Sequence, residues 1–276
     1  MQKKDVDRRV LIAGLGGAVA GSLLARNAVA GSLNPPPGGV MPSGRDLTQV
    51  TNMIARTDQG CAMPPVPIES LPGSSSAKHV ITVSGSYYMV GNIQGQPAQN
   101  VIDVQASHVD ICGGGFHIFV ASGGQVGLTT GSGIVCSGQN VTFYDGSVVG
   151  GGIGIDFSQA MRFILWDVIS IGAEIAGFKL GSEGNFYDSE AHTSLGVGVL
   201  ASGFHSLIEE GAVYSCPTGY AITGAQNIFF NNYATNCQTP FQIGPGNSYG
   251  PLVNVAGVGD MSLVPRASDP WANFAY

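Results

Sequence analysis

The chain has 276 residues, 44% of them hydrophobic and only 11% charged, with 42 glycines and a formal net charge of −7. That apolar share can bury a sizeable core, and nothing in the composition suggests a second globular domain. The negative balance disfavours nucleic acid and anionic membranes as partners, and acidic polysaccharides too unless a divalent cation bridges the two.

Residues 1–30 read as an export signal peptide of the twin-arginine kind. Lys3, Lys4 and the pair Arg8-Arg9 precede the apolar run Val10 to Ala25, and Ala28-Val29-Ala30 offers a small-residue cleavage site. The run is short and glycine-rich for a membrane anchor, so no span is expected after signal removal. It also imitates a dinucleotide-binding turn, but Val19 stands where the third glycine belongs. Removal of this segment takes five of 11 cations and two of 18 anions, leaving 6 against 16 and a net charge of −10. The expected location is the periplasm, the cell surface or the extracellular space.

Residues 31–78 read as a Pro/Gly-rich linker and an N-terminal cap. Pro35-Pro36-Pro37-Gly38-Gly39 is too stiff and polar to pack. Asp46 to Arg56 reads as a short helix capped by Asp46, with Leu47, Val50 and Ile54 on one face, placed to cover an open end.

Residues 79–246 carry a repeat. Gly133, Gly154, Gly177, Gly198 and Gly219 return every 21 to 23 residues, with Pro240 in step, and each opens a short apolar strand. The period is too short for a βαβ unit and fits one coil of a β-solenoid, in which each coil buries its apolar side on its neighbours. The sequence therefore predicts an all-β, single-stranded right-handed parallel β-helix with coils of about 22 residues and an N-terminal capping helix. Residues one period apart then lie about 4.8 Å above each other, and columns replace motifs as the unit of reading. The first strand has two inward columns: Ile134, Ile155, Phe178, Val199, Tyr220, Phe241, and Cys136, Phe157, Leu180, Ala201, Ile222, Ile243. Its outward positions include Asp156 and Lys179 as stacked neighbours. A second strand follows with the inward column Phe143, Leu165, Phe186, Ile208, Phe230. Earlier, His79 to Val83 and Asn100 to Val104 read as irregular first coils, and Phe116 to Thr130 as a projecting loop. Residues 247–276 form a tail made sticky by Trp271, Phe274 and Tyr276.

Of the five cysteines, Cys216 and Cys237 stand 21 apart and hence stacked, and Cys112 and Cys136 read as similarly placed, while Cys61 has no evident partner. A ladder of small buried thiols is the favoured reading, with a Cys216–Cys237 bond as the alternative. No spacing suggests zinc.

The segments Leu33-Asn34-Pro35-Pro36-Pro37-Gly38, Pro42-Ser43-Gly44-Arg45-Asp46-Leu47, Gly85 to Asn92 and Val109 to Phe116 resemble exported bacterial β-helix proteins of the pectin-lyase-like superfamily. The resemblance covers most of the mature chain and implies the right-handed β-helix and a bias towards glycans. That superfamily holds polysaccharide lyases, hydrolases and epimerases beside proteins with no known chemistry. The Asn-Thr-Asp, Asp-Asp, His-Gly and Arg-Ile-Lys motifs of its polygalacturonase-like members do not occur here. Only Arg162 and Lys179 in the repeat region are permanent cations, which departs from the basic catalyst of the pectate-lyase-like members.

Two outward faces carry the functional expectation. The column Tyr144, Trp166, Tyr187, Glu209, Asn231 places three aromatics in register. Beside it runs Asn140, Arg162, Glu183, His205, Asn227, with Thr142, Ile164, Asn185, Leu207, Phe229 between. Rings flanked by planar polar groups hold sugars by stacking on C–H faces while hydroxyls find hydrogen bonds. The candidate ligand-binding residues are Tyr144, Trp166, Tyr187, Arg162, Glu183 and His205. The competing reading is an apolar patch that packs on another subunit or on the tail. The second face is acidic: Asp145, Asp167, Asp188 and Glu210, with Asn232 next. A hydrogen-bonded bend ladder explains it with no additional partner; a calcium bridge and a catalytic carboxylate pair are the alternatives. No cofactor is expected otherwise. His192 and His205 lack a serine or cysteine nucleophile in column and receive no reaction. The expectation is thus a non-enzymatic glycan-binding or structural surface protein, with a polysaccharide or cell-surface glycan as partner. The alternatives are a lyase, epimerase or glycoside hydrolase, and an oligomeric adhesin or spike-like module.

Overall fold

The computed structural model describes residues 65–121, 131–255, 266 and 268–276, within a compact unit spanning Asp58–Tyr276. The export signal, the proline-rich linker, the capping helix, Cys61 and the far part of the loop after Phe116 lie outside the described residues.

Among the described residues, all 23 strands belong to one parallel sheet wound into a solenoid, and the one helix is the 3-10 turn Ile68–Ser70. Each coil holds three strands rather than the two read from the sequence. In one coil they are Ala176–Ser182, Asn185–Tyr187 and Glu190–His192. Val197–Ala201, Leu207–Glu209 and Ala212–Tyr214 stack on them in register, 21 or 22 residues later. Three faces result. The second runs through about nine turns, from Val66–Pro67 to Ser248–Tyr249.

The first-face columns are buried as the period requires: Ile134, Ile155, Phe178, Val199 and Tyr220 have no exposed surface. On the second face Phe143, Leu165, Phe186 and Ile208 point inward. The next rung corrects the sequence reading, because Ile208 pairs with Phe229 and Glu209 with Phe230. Phe229 is therefore the core residue, and Phe230 lies in the outward column where Asn231 was expected. The third face contributes Val148, Ser170, Ala191, Val213 and Ala234, all fully buried. These small side chains meet the glycine column across a corner. A Cβ on Gly198 would collide with Val213 Cγ1 and stand 2.8 Å from the carbonyl oxygen of Gly219. The recurring glycine is thus fixed by lack of room, not by a left-handed backbone.

Left-handed backbone falls instead at the three bends of each coil. The bend opening the second face holds Asn140, Arg162, Glu183, His205 and Gln226 at φ of 54 to 61°. The bend closing it holds Asp145, Asp167, Asp188, Glu210 and Asn231 at 47 to 54°. Asn227 and Asn232 stand one residue past these positions, buried, which corrects both columns at their last rung. Asn232 Oδ1 accepts the N–H of Gly211 at 3.0 Å, while its amide donates to the carbonyls of Ile208 and Phe230 at 2.9 and 2.7 Å. Asn227 Oδ1 accepts from Ser206 N–H at 2.9 Å, and the backbone N–H of Asn227 donates to Asn247 Oδ1 at 2.9 Å. The bend ladder is therefore built by buried asparagines, each beside a left-handed residue, and it satisfies backbone groups that water cannot reach.

The tail enters this scheme. Asn273–Ala275 inserts as a strand between Tyr233–Thr235 and Leu252–Asn254. Cys112, Cys136, Cys216 and Cys237 are free thiols. Cys112 and Cys136 are not similarly placed: Cys112 pairs with Tyr88 and Tyr144 in an outward column, whereas Cys136 is buried on the first face. The coil here is 32 residues long, since Cys112 pairs with Tyr144 and Val104 with Cys136, so their 24-residue separation falls short of one turn and changes both strand and side. Burial pushes the Cys136 thiol up to about 12. Asp156 and Lys179 pair in register as expected, and the Asp156 carboxylate accepts from Ser158 N–H at 3.0 Å and Oγ at 2.6 Å.

Candidate functional site

The second face is bounded by its two bends. Between them each strand exposes alternate residues, so two outward columns form. One is Ser86, Asp110, Thr142, Ile164, Asn185, Leu207 and Ile228; the other is Pro67, Tyr88, Cys112, Tyr144, Trp166, Tyr187, Glu209 and Phe230.

Tyr144, Trp166 and Tyr187 come together as neighbouring rungs. Their ring centroids are 6.1 and 6.0 Å apart, with interplanar angles of 24 and 20°, within the offset-stacked range. The rings cover much of one another, yet Trp166 keeps 43% of its surface exposed. Burial raises the pKa of Tyr144, assisted by a hydrogen bond with Cys112 and by the charge of Asp110.

Arg162, Glu183 and His205 sit at the opposite edge of this face, on the opening bend. Four residue steps along the strand separate the two edges, or about 13 Å. Arg162 Nη2 donates to Gln139 Oε1 at 2.6 Å, and its Nε lies 3.9 Å from Glu183 Oε2. The ring of His205 meets Phe204 edge-on at 5.3 Å. Arg162 and Glu183 thus form one exposed polar cluster, His205 stands a rung further on, and all three lie across the strip from the rings rather than against them. The arrangement is a groove-like strip with an aromatic border, an apolar-to-polar middle column and a hydrogen-bonding border. It presents no nucleophile and base in contact.

The sequence reading missed the ends of the aromatic column. Towards the N-terminus Tyr88 extends it, found only once Gly85–Tyr88 is seen to stack on the same face. A groove of about 510 Å³ opens there, lined by Ser86, Tyr88, Asp110, Cys112 and Tyr144 among others. At the other end Trp271 packs edge-on against Phe230 at 4.9 Å. Beside it Arg266 Nη2 and Asp269 Oδ2 pair at 3.5 Å. No helix of the described residues can supply such a distant partner; the tail returns through its strand insertion.

The acidic column occupies the closing bend. Glu210 accepts from Asn231 Nδ2 at 3.4 Å. The neighbouring Glu209 has its pKa raised, first by burial and then by the charge of Glu210. Among the described residues no group of three or more His, Cys, Asp or Glu converges as a metal site, and no helix is long and apolar enough to cross a membrane. On the third face Glu190 Oε2 and His192 Nε2 lie 2.7 Å apart, and the His192 ring stacks on Tyr214 at 4.6 Å.

No family model matches the chain, and no curated protein or solved structure matches it.

Proposed function

We propose that this chain is an exported, non-enzymatic glycan-binding protein whose second face holds a neutral polysaccharide or cell-surface glycan. The observation that carries the reading is the in-register ladder Tyr144–Trp166–Tyr187, with its central ring open to solvent. Soluble chains rarely line up solvent-facing rings without a partner for them. The Arg162–Glu183 edge supplies donors and acceptors that sugar hydroxyls need, and the mature net charge of −10 favours a neutral ligand over an acidic one. The signal-like N-terminus and the resemblance to exported β-helix proteins support export.

The test is retention of the mature protein on a panel of immobilised neutral polysaccharides. Trp166→Ala combined with Tyr187→Ala removes two rings, each contributing about 0.5–1.5 kcal/mol, so affinity should fall roughly 5- to 150-fold. Retention unchanged on every polysaccharide would refute the reading. A reducing-end assay run alongside reports product if the chain is instead a polysaccharide-modifying enzyme.

A second reading, an interface between copies, draws on Ile228, which is 49% exposed beside Phe230 and Trp271. Sedimentation of the mature protein separates the two: the glycan reading predicts a monomer whose aromatic strip is free.

A further inference from the structure

We propose that the aromatic ladder lacks one rung at Cys112, and that a single neutral sugar ring occupies the vacancy between Tyr88 and Tyr144. This deepens the glycan reading and rests on it.

Cys112 pairs in register with Tyr88 on one side and Tyr144 on the other. The two tyrosines are therefore two rungs apart, about 9.6 Å. Beyond Tyr144 every rung up to Tyr187 carries a ring, and neighbouring rings cover one another at 6.1 and 6.0 Å. At Cys112 the column shrinks to a thiol. The sides of Tyr88 and Tyr144 that face each other are left without a ring between them, and the groove lies at this point. A six-membered ring inserted midway would lie about 4.8 Å from each tyrosine, inside the 4.5–7 Å range in which stacked rings attract. Two inserted rings would not fit that spacing, so the slot takes one.

The neighbouring outward column fixes the chemistry. Ser86 and Asp110 are adjacent rungs there, and both line the groove. The Asp110 side chain is exposed. A ligand without hydroxyls would cover that carboxylate and offer it no donor, which is costly. An anionic sugar would be repelled by it. A neutral pyranose has two apolar faces for the tyrosines and equatorial hydroxyls that donate to Asp110. The thiol of Cys112 lines the groove between the two tyrosines.

The experiment uses the full chain and methyl glycosides of neutral hexoses, with their disaccharides, as probes. Alkylation of Cys112 by iodoacetamide, followed by mass spectrometry, reports occupancy, and calorimetry reports affinity. At least one methyl glycoside should slow Cys112 alkylation fivefold or more. Cys112→Phe, which completes the ladder with a protein ring, should abolish glycoside binding, and Asp110→Asn should weaken it about tenfold. His192→Ala, on the third face, should leave it within twofold. Should Cys112→Phe fail to fold, judged by its melting temperature, Tyr88→Ala and Asp110→Asn carry the same test. Protection by no methyl glycoside, or binding to Cys112→Phe as to the parent, overturns the slot. A parent that retains polysaccharide yet binds no methyl glycoside overturns the slot alone. Polysaccharide retention insensitive to Trp166→Ala with Tyr187→Ala overturns the face as a whole.

Discussion

The side-chain Oδ1 of Asn273 accepts the backbone N–H of Asn232 at 3.0 Å, across forty-one residues of chain. The tail thereby supplies the last rung of the asparagine ladder, and its insertion places Trp271 over Phe230 at the end of the aromatic column. Asn273 also donates towards the carbonyls of Phe229 and Gly250, at 3.4 and 3.3 Å. Asn273→Ala should leave several buried backbone groups unpaired, at about 1–3 kcal/mol for each group. Urea denaturation should show a lowered midpoint, and Trp271 emission should move to the red at denaturant concentrations where the coils remain folded. A single transition unchanged from the parent would contradict the ladder's role.

The glycine column should reject a methyl group. Gly198→Ala forces its Cβ against Val213 Cγ1 and the Gly219 carbonyl. Overpacking of this kind costs about 1–3 kcal/mol, which corresponds to roughly 2–12 °C in melting temperature for a domain of this size. Adding Val213→Ala removes one of the two obstacles, so the double variant should melt above the sum of the single losses.

Glu209 gives a pH dependence with a definite sign. Burial and the adjacent Glu210 raise its folded pKa, so the folded state holds this proton more tightly than the unfolded one. The destabilisation is absent in acid below the unfolded carboxylate value, sets in as pH rises through the folded value, and is full at neutral pH. Glu209→Gln should therefore melt higher than the parent at pH 7 and match it at pH 3. An equal offset at both pH values would show that charge is not the cause.

Thiol reactivity should follow placement. Cys136 is fully buried and its pKa is pushed up to about 12, and burial also raises Cys216 and Cys237. Among these described thiols, iodoacetamide at pH 8 should modify Cys112 first, and Cys136 only on global unfolding.

How much of this could be read in the sequence depended on the phase each residue type conveys. Ile155 and Phe178 alternate with the polar Asp156 and Lys179, and a glycine precedes each strand, so the period and first-face columns are plain. Phe229 and Phe230 are identical in type and carry no phase. A step of 22 stands in the sequence reading where the chain takes 21, which displaces Asn227, Asn231 and Asn232 by one residue. The third strand leaves little trace in the sequence because Ser170, Ala191 and Ala234 are small or polar, as the glycine corner demands. Arg162, Glu183 and His205 bear no mark of left-handed backbone, unlike Asn140 and Asn231. The Tyr144–Trp166–Tyr187 stripe was legible because three large rings recur at the coil spacing. Its continuation to Tyr88 was not, since Cys112 interrupts it, and the tail insertion is a pairing of strands distant in sequence.

The most direct measurement starts from the chain's two tryptophans. In Trp271→Phe, Trp166 alone reports, and its emission is followed while each neutral polysaccharide is added to the mature protein. The account predicts a saturable blue shift with at least one of them, as the exposed ring is covered. Emission that stays constant through every titration would contradict it.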